Sequence, residues 1–98
     1  MTIPELLSTF KTIAVVGISD KPHKPSHAVS RYMLEAGYEI VPINPTHRSV
    51  LGLDCYPSLL SLPDALKARV QIVNVFRKPA DVPPVVDEAI AIGAKAIW

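Results

Sequence analysis

"IAVVGISDKPHKPSHAVSRYMLEAG", residues Ile13 to Gly37, decides the fold. An apolar run with β-branched residues, starting at Thr12, halts at Gly17. A polar loop follows, "SDKPHKPSH", with Lys21, His23, Lys24 and His27 against a single acid, Asp20. Then "SHAVSRYMLEAG" places Ala28, Val29, Tyr32, Met33 and Ala36 at helical spacing, which predicts that they form the buried face. Ser26 is the expected N-cap and Gly37 the expected stop. This is a strand feeding a helix through a loop, and the run before the loop has the composition of a strand buried on both faces.

The rest of the chain repeats that grammar. "YEIVPIN" reads as a second strand. Its Pro42 points to an edge, a bulge or a strand end, since a central proline forfeits a ladder bond. "PSLLSLP" reads as a short helical turn, and "VQIVNVF" (Val70 to Phe76) as a third, wholly apolar strand. "PADVPPVVDEAIAIG" predicts a helix with Val85, Val86, Ala89, Ile90 and Ile92 inward and Gly93 at its end. "KAIW" starts a fourth strand. "IPELLSTFK" near the N-terminus has Ile3, Leu6, Leu7 and Phe10 at helical spacing. Strand, helix, strand, short helix, strand, helix, strand is an α/β domain with a parallel sheet and right-handed crossovers. It occupies residues 1–98 and stops just after the fourth strand begins. That ending predicts a longer natural chain or a second copy covering the gap.

Bulk composition narrows the function. Ninety-eight residues make one small domain, and ten lysines and arginines against nine acids leave a net charge of +1. No global charge argues for nucleic acid or for an anionic membrane, so any anion site must be local. One cysteine, Cys55, cannot form an internal disulfide, and no apolar run is long enough for a membrane span. The N-terminus "MTIPELLSTF" lacks a basic export-type start. A cytoplasmic protein is the expectation. The ten prolines, about twice the ~5% average, sit mainly at the ends of apolar runs.

In doubly wound sheets, ligands bind beyond the carboxyl ends of the strands, where the strand order reverses. Those ends are Gly17-Ile18-Ser19, Ile43-Asn44-Pro45 and Phe76-Arg77. Gly17 lets the backbone approach a ligand, and the helix start near Ser26 offers free N–H groups and the positive dipole end to an anion. The loop is a local cationic patch on a near-neutral chain, which favours phosphate. The dinucleotide pattern G-x-G-x-x-G is absent. At the second strand end, where NAD-binding domains usually place an acid for the ribose, the chain has Asn44-Pro45-Thr46-His47-Arg48. That cluster suits a ribose phosphate or a pyrophosphate, as in NADP or coenzyme A. A phosphoacceptor receiver domain would need acids where the chain has Ile18 and Arg77.

"TIAVVGISDKPHKPSHAVSRYMLEAGYEIVPINP" and "VNVFRKPADVPPVVDEAIAIGAKAIW" resemble the small bacterial CoA-binding domain proteins. These are similar to the CoA-binding domain of the succinyl-CoA synthetase alpha subunit. The resemblance runs from Lys11 to Trp98 and rests on V-G-x-S, the Lys/Pro loop with its Ser, I-N-P and V-F-R-x-P taken together. It implies a Rossmann-like three-layer fold that binds coenzyme A or an acyl-CoA. Gly17, Ile18 and Ser19 would line the cleft, and Lys21 and the Ser26 helix start would meet phosphates. Asn44 and Pro45, with His47 or Arg48 nearby, would border the adenosine end. Phe76 and Arg77 would cover the tip of the third strand. Family members continue beyond this point with further helix and strand.

His23, His27 and His47 fit no zinc spacing, and a Cys55–His nucleophile pair rests on residue types alone. The synthetase works through a phosphorylated histidine from another domain, and no catalytic dyad is visible at the inferred cleft. The expectation is a binding module for a small nucleotide ligand, without catalytic residues and without a metal. The competing readings are an NADP-binding domain of an oxidoreductase and a structural domain that has lost its ligand. A homo-oligomer is expected, because an exposed fourth strand invites pairing.

Overall fold

A computed structural model describes residues 11–98; the helix expected near the N-terminus lies outside them. The strands β1 (Thr12–Val16), β2 (Glu39–Ile43), β5 (Ile72–Val75) and β6 (Ala96–Ile97) form one parallel sheet in the order β2-β1-β5-β6. Between β2 and β5 lies a small antiparallel hairpin, β3 (Ser49–Val50) and β4 (Leu53–Asp54). The helices are α1 (Pro25–Glu35), α2 (Asp64–Arg69) and α3 (Val82–Ala91), the last entered through a 3-10 turn at Pro79–Asp81. This is the three-layer α/β arrangement. The chain runs one way from β1 to β2 and the other way from β5 to β6, so the order reverses at β1.

Every residue of β1 is buried, as its apolar run requires. Alternation splits the strand between two cores. Ile13 and Val15 join Ile40, Ile72, Met33 and Ile18 on one face. Ala14 and Val16 join Val41, Ile43, Val73, Val85 and Ala89 on the other. At the foot of the sheet, the Arg69 guanidinium donates to both Glu39 carboxylate oxygens at 3.1 and 2.9 Å, and the Thr12 hydroxyl donates to the same carboxylate. The Arg69 hydrogen bond holds the Glu39 carboxyl below the ordinary glutamate range; partial burial opposes it and the Thr12 hydroxyl adds to it.

Pro42 sits in β2 at the edge of the sheet. The Glu39 N–H donates to Lys11 and the Ile43 carbonyl accepts from Gly17, so odd-numbered residues of β2 face β1. The Pro42 carbonyl faces outward, where Tyr56 N–H donates to it at 3.0 Å. The nitrogen without a hydrogen therefore also faces outward, and no bond to β1 is lost.

Of the apolar stripe of α1, Met33 faces the core and the rest does not. Ser26, His27, Ser30 and Met33 are the buried residues of α1, whereas Ala28, Val29, Tyr32 and Ala36 are exposed. The cause lies upstream: Ser26 Oγ accepts the Ser19 N–H at 2.9 Å, which turns the serine side of the helix onto the sheet. Nor is Ser26 the cap. The N-cap is Lys24, with Pro25 in the first helical position. Gly37 does stop the helix: it lies at φ +99°, and the Gly37 and Tyr38 amides return to Leu34 and Met33. In α3, Val85 and Ala89 are buried as expected, but Ile90 is exposed. Its rotation turns Ile90 outward and Glu88 toward the Leu60 amide.

Two outcomes test this fold. Gly17 lies at φ +87°, and a β-carbon there would sit 2.3 Å from the Phe76 carbonyl oxygen. Gly17→Ala is expected to lower stability by about 2–4 kcal/mol, combining left-handed strain with a backbone clash, read as a fall in the urea midpoint. Glu39 has a folded pKa below its unfolded value, so its contribution is full above the ordinary carboxyl pKa and fades as pH falls through the folded one. Glu39→Gln is expected to flatten that acid limb in a series of melts between neutral pH and pH ~3.

Candidate functional site

The first and third strands end against each other. The Phe76 N–H donates to the Val16 carbonyl at 2.8 Å, and the Gly17 N–H to the Ile43 carbonyl at 2.8 Å. All three strand ends thus meet at Gly17. Only glycine fits there, because the Phe76 carbonyl crosses where a side chain would start and Arg77 Cδ lies 3.3 Å from the same point.

On the α1 side, the loop after β1 is shaped by short hydrogen bonds. The Ser19 hydroxyl accepts the Lys21 N–H at 3.1 Å, and Ser26 Oγ accepts the Ser19 N–H. Lys21, His23 and Lys24 are exposed, but His27, expected to share the cationic patch, is buried in the first turn of α1. Its Nδ1 has no hydrogen-bond partner among the described residues. The helix start offers less than expected. Pro25 has no N–H, and the His27 and Ala28 amides both donate to the Lys24 carbonyl. The Ser26 amide is the first-turn donor left without a carbonyl partner among the described residues.

Asn44 ties the loops together. Its Nδ2 donates to the Ile18 carbonyl at 2.9 Å, and its Oδ1 accepts from the Thr46 amide and hydroxyl. Asn44 is buried and its side chain is already committed on both atoms, so it positions the loops. Ile18 is likewise fully buried, which leaves only its backbone for the cleft. His47 Nε2 lies 3.8 Å from an Asp20 carboxylate oxygen, a second link between the loops after β1 and β2. Cys55 Sγ approaches the Asn44 carbonyl at 3.6 Å; burial pushes its thiol pKa up, and this hydrogen bond only partly offsets that. A raised pKa makes Cys55 a poor nucleophile.

On the α3 side, a cleft of about 110 Å³ opens between the loops after β2 and β5. Val16 forms its floor, and Pro45, Leu59, Arg77, Val85 and Glu88 line its walls. Of the residues singled out at the strand ends, Pro45 and Arg77 meet in this cleft. Ser19, Lys21 and Ser26 gather on the other side of Gly17, and Phe76 packs against the core beneath them. Arg77 makes no ion pair among the described residues, so its charge faces the cleft unneutralised. Glu88 was not singled out in the sequence, although it follows Val85 by three residues and so shares its side of α3. The Pro57–Leu59 wall carries no periodic signal.

Residues 11–98 match the CoA binding domain family. The chain is 43% identical over 96 residues to the uncharacterized protein YneT of Bacillus subtilis, covering 98% of this chain and 68% of that protein. It superposes with a TM-score of 0.90 on a hypothetical protein from Pyrococcus horikoshii, at 43% identity, covering 98% of this chain and 65% of that one. It is also 35% identical over 99 residues to ADP-forming acetate–CoA ligase II of Archaeoglobus fulgidus, spanning 96% of this chain but 14% of the ligase.

The clamp yields a prediction. Asn44→Ala leaves the buried Ile18 carbonyl without its donor, so a loss of about 1–3 kcal/mol is expected. Asn44→Asp, which sets a carboxylate oxygen against the buried Ile18 carbonyl, is expected to cost at least as much as Asn44→Ala in chemical denaturation.

The chain belongs to the CoA binding domain family.

Proposed function

We propose that this domain binds coenzyme A or an acyl-CoA and does no chemistry of its own. The observation that carries the reading is the convergence of three strand ends on Gly17, with free cations on both sides of it. Family membership points the same way. The pyrophosphate would cross Gly17 and Ser19, against the Ser26 amide and the Lys21 ammonium. The adenosine would enter the cleft beside Pro45, where Arg77 offers a charge-assisted contact to phosphate. Phe76 supports the rim, and Asn44 and Ile18 hold the loops in place. Residues 11–98 act as one binding unit. The thiol end of the ligand would project outward, toward whatever protein uses the acyl group.

The stretch Asn44-Pro45-Thr46-His47-Arg48 offers no carboxylate for a free ribose hydroxyl, which disfavours NAD. NADP is the sharper competitor, since it too carries a ribose phosphate. Calorimetric titration with CoA, NADP and NAD at low and moderate salt tests the reading. Saturable CoA binding that weakens with salt is expected. Lys21→Ala and Arg77→Ala should each weaken it by about 10–100-fold, as loss of a charge-assisted contact does. Binding of NADP without CoA would overturn the proposal in favour of an oxidoreductase domain, and silence with all three would overturn ligand binding.

A further inference from the structure

Helix α1 turns Ser26, His27, Ser30 and Met33 to the sheet and leaves Ala28, Val29, Tyr32 and Ala36 in solvent. Val29 is 41% and Tyr32 70% exposed, and Ala28 and Ala36 are exposed beside them. At 100° per residue, Ala28, Tyr32, Ala36 and Val29 form one continuous stripe. Among the described residues, the other exposed large apolar side chains are Ile90 on α3, Leu60 before α2 and Ile97 on β6, one on each, and single residues need no partner. The stripe is different because charges flank it in a particular order. Arg31 and Glu35 are both exposed and both lie along the same side of it.

That order is self-complementary. A two-fold axis through Tyr32 sets two copies of α1 antiparallel. Residues at equal distances on either side of Tyr32 then meet, so the two exposed Tyr32 rings pack together at the centre and Ala28 faces the partner's Ala36. The two-fold keeps the charged flanks on the same side of the pair. Arg31 then lies only about 3 Å along the helix axis from the partner's Glu35, at 1.5 Å rise per residue. The pair forms twice, as an isologous interface demands. A parallel two-fold would instead place the two charged flanks on opposite sides of the pair, where neither meets its complement.

We infer that the occupant of this face is a second copy of the chain, packed antiparallel through α1. The helix is about 16 Å long, and its face is small beside the ~800 Å² per partner of a standard interface. The dimer is therefore weak and concentration-dependent. The phosphate loop precedes the first turn of α1, so the two loops lie at opposite ends of the pair and both stay open.

Sedimentation velocity from low to several hundred micromolar tests this. The wild type is expected to shift from monomer to dimer across that range. Tyr32→Glu should stay monomeric throughout. Arg31→Glu and Glu35→Arg should each weaken dimerisation at least about tenfold, and the double swap should restore it to within about threefold. Unchanged circular dichroism would confirm that each variant folds. A wild type that stays monomeric overturns the inference. So does a dimer indifferent to Tyr32→Glu, which would use another surface such as the β6 edge, or a double swap that fails to restore pairing.

Discussion

Everything at the carboxyl end of this domain's sheet depends on two backbones passing each other without a side chain between them. The end of β1 and the end of β5 cross at Gly17 and the Phe76 carbonyl. Because they touch, the two strands hand their loops to opposite faces of the sheet from one point. The loop after β1 goes to the α1 side and the Arg77 loop to the α3 side. A wider separation would give two unrelated surface loops. Contact sets the α1-side loop, with Lys21 and Lys24, and the α3-side cleft, with Arg77, back to back at Gly17. Asn44 then brings the third strand end into register by holding the Ile18 carbonyl.

The strand framework was legible because buried parallel strands need apolar runs, which are conspicuous at Ile13–Val16 and, broken only by Asn74, at Ile72–Val75. The stops at Gly37 and Gly93 were legible for a similar reason, since a left-handed helix end strongly favours glycine. The face of α1 was not. Periodicity identifies an apolar stripe but not which way it points, and one hydrogen bond from the Ser19 amide to Ser26 reversed it. The β3–β4 hairpin escaped because its turn places Leu51, a residue that rarely accepts a positive φ, at +58° before Gly52. Helix α2 is six residues long, too short for its periodicity to register.

The candidate site divides the same way. Gly17, Pro45 and Arg77 follow from the rule that strand ends bear ligands; the structure brings Pro45 and Arg77 into one cleft and sets Gly17 beside Arg77. Asn44 and Ser26 stand where contacts were expected, and their side chains carry a structural task there. Their polar atoms are spent on backbone groups of neighbouring loops. A sequence gives the residue type at a strand end, yet only the fold reveals which partner its hydrogen bonds have already found. The inverse holds for Glu88, whose place on the cleft wall follows from helical spacing but whose bond to the Leu60 amide does not.

The outward-facing nitrogen of Pro42 bears on how the protein behaves when crowded. An edge strand is a template on which another chain can grow by hydrogen bonding, and β2 is such an edge. At Pro42 an arriving strand would find no donor, and the carbonyl is already taken by the Tyr56 amide. The template is interrupted after Ile40. A residue that reads at first as an awkward guest in a β-strand thus acts as a gatekeeper against edge-on aggregation.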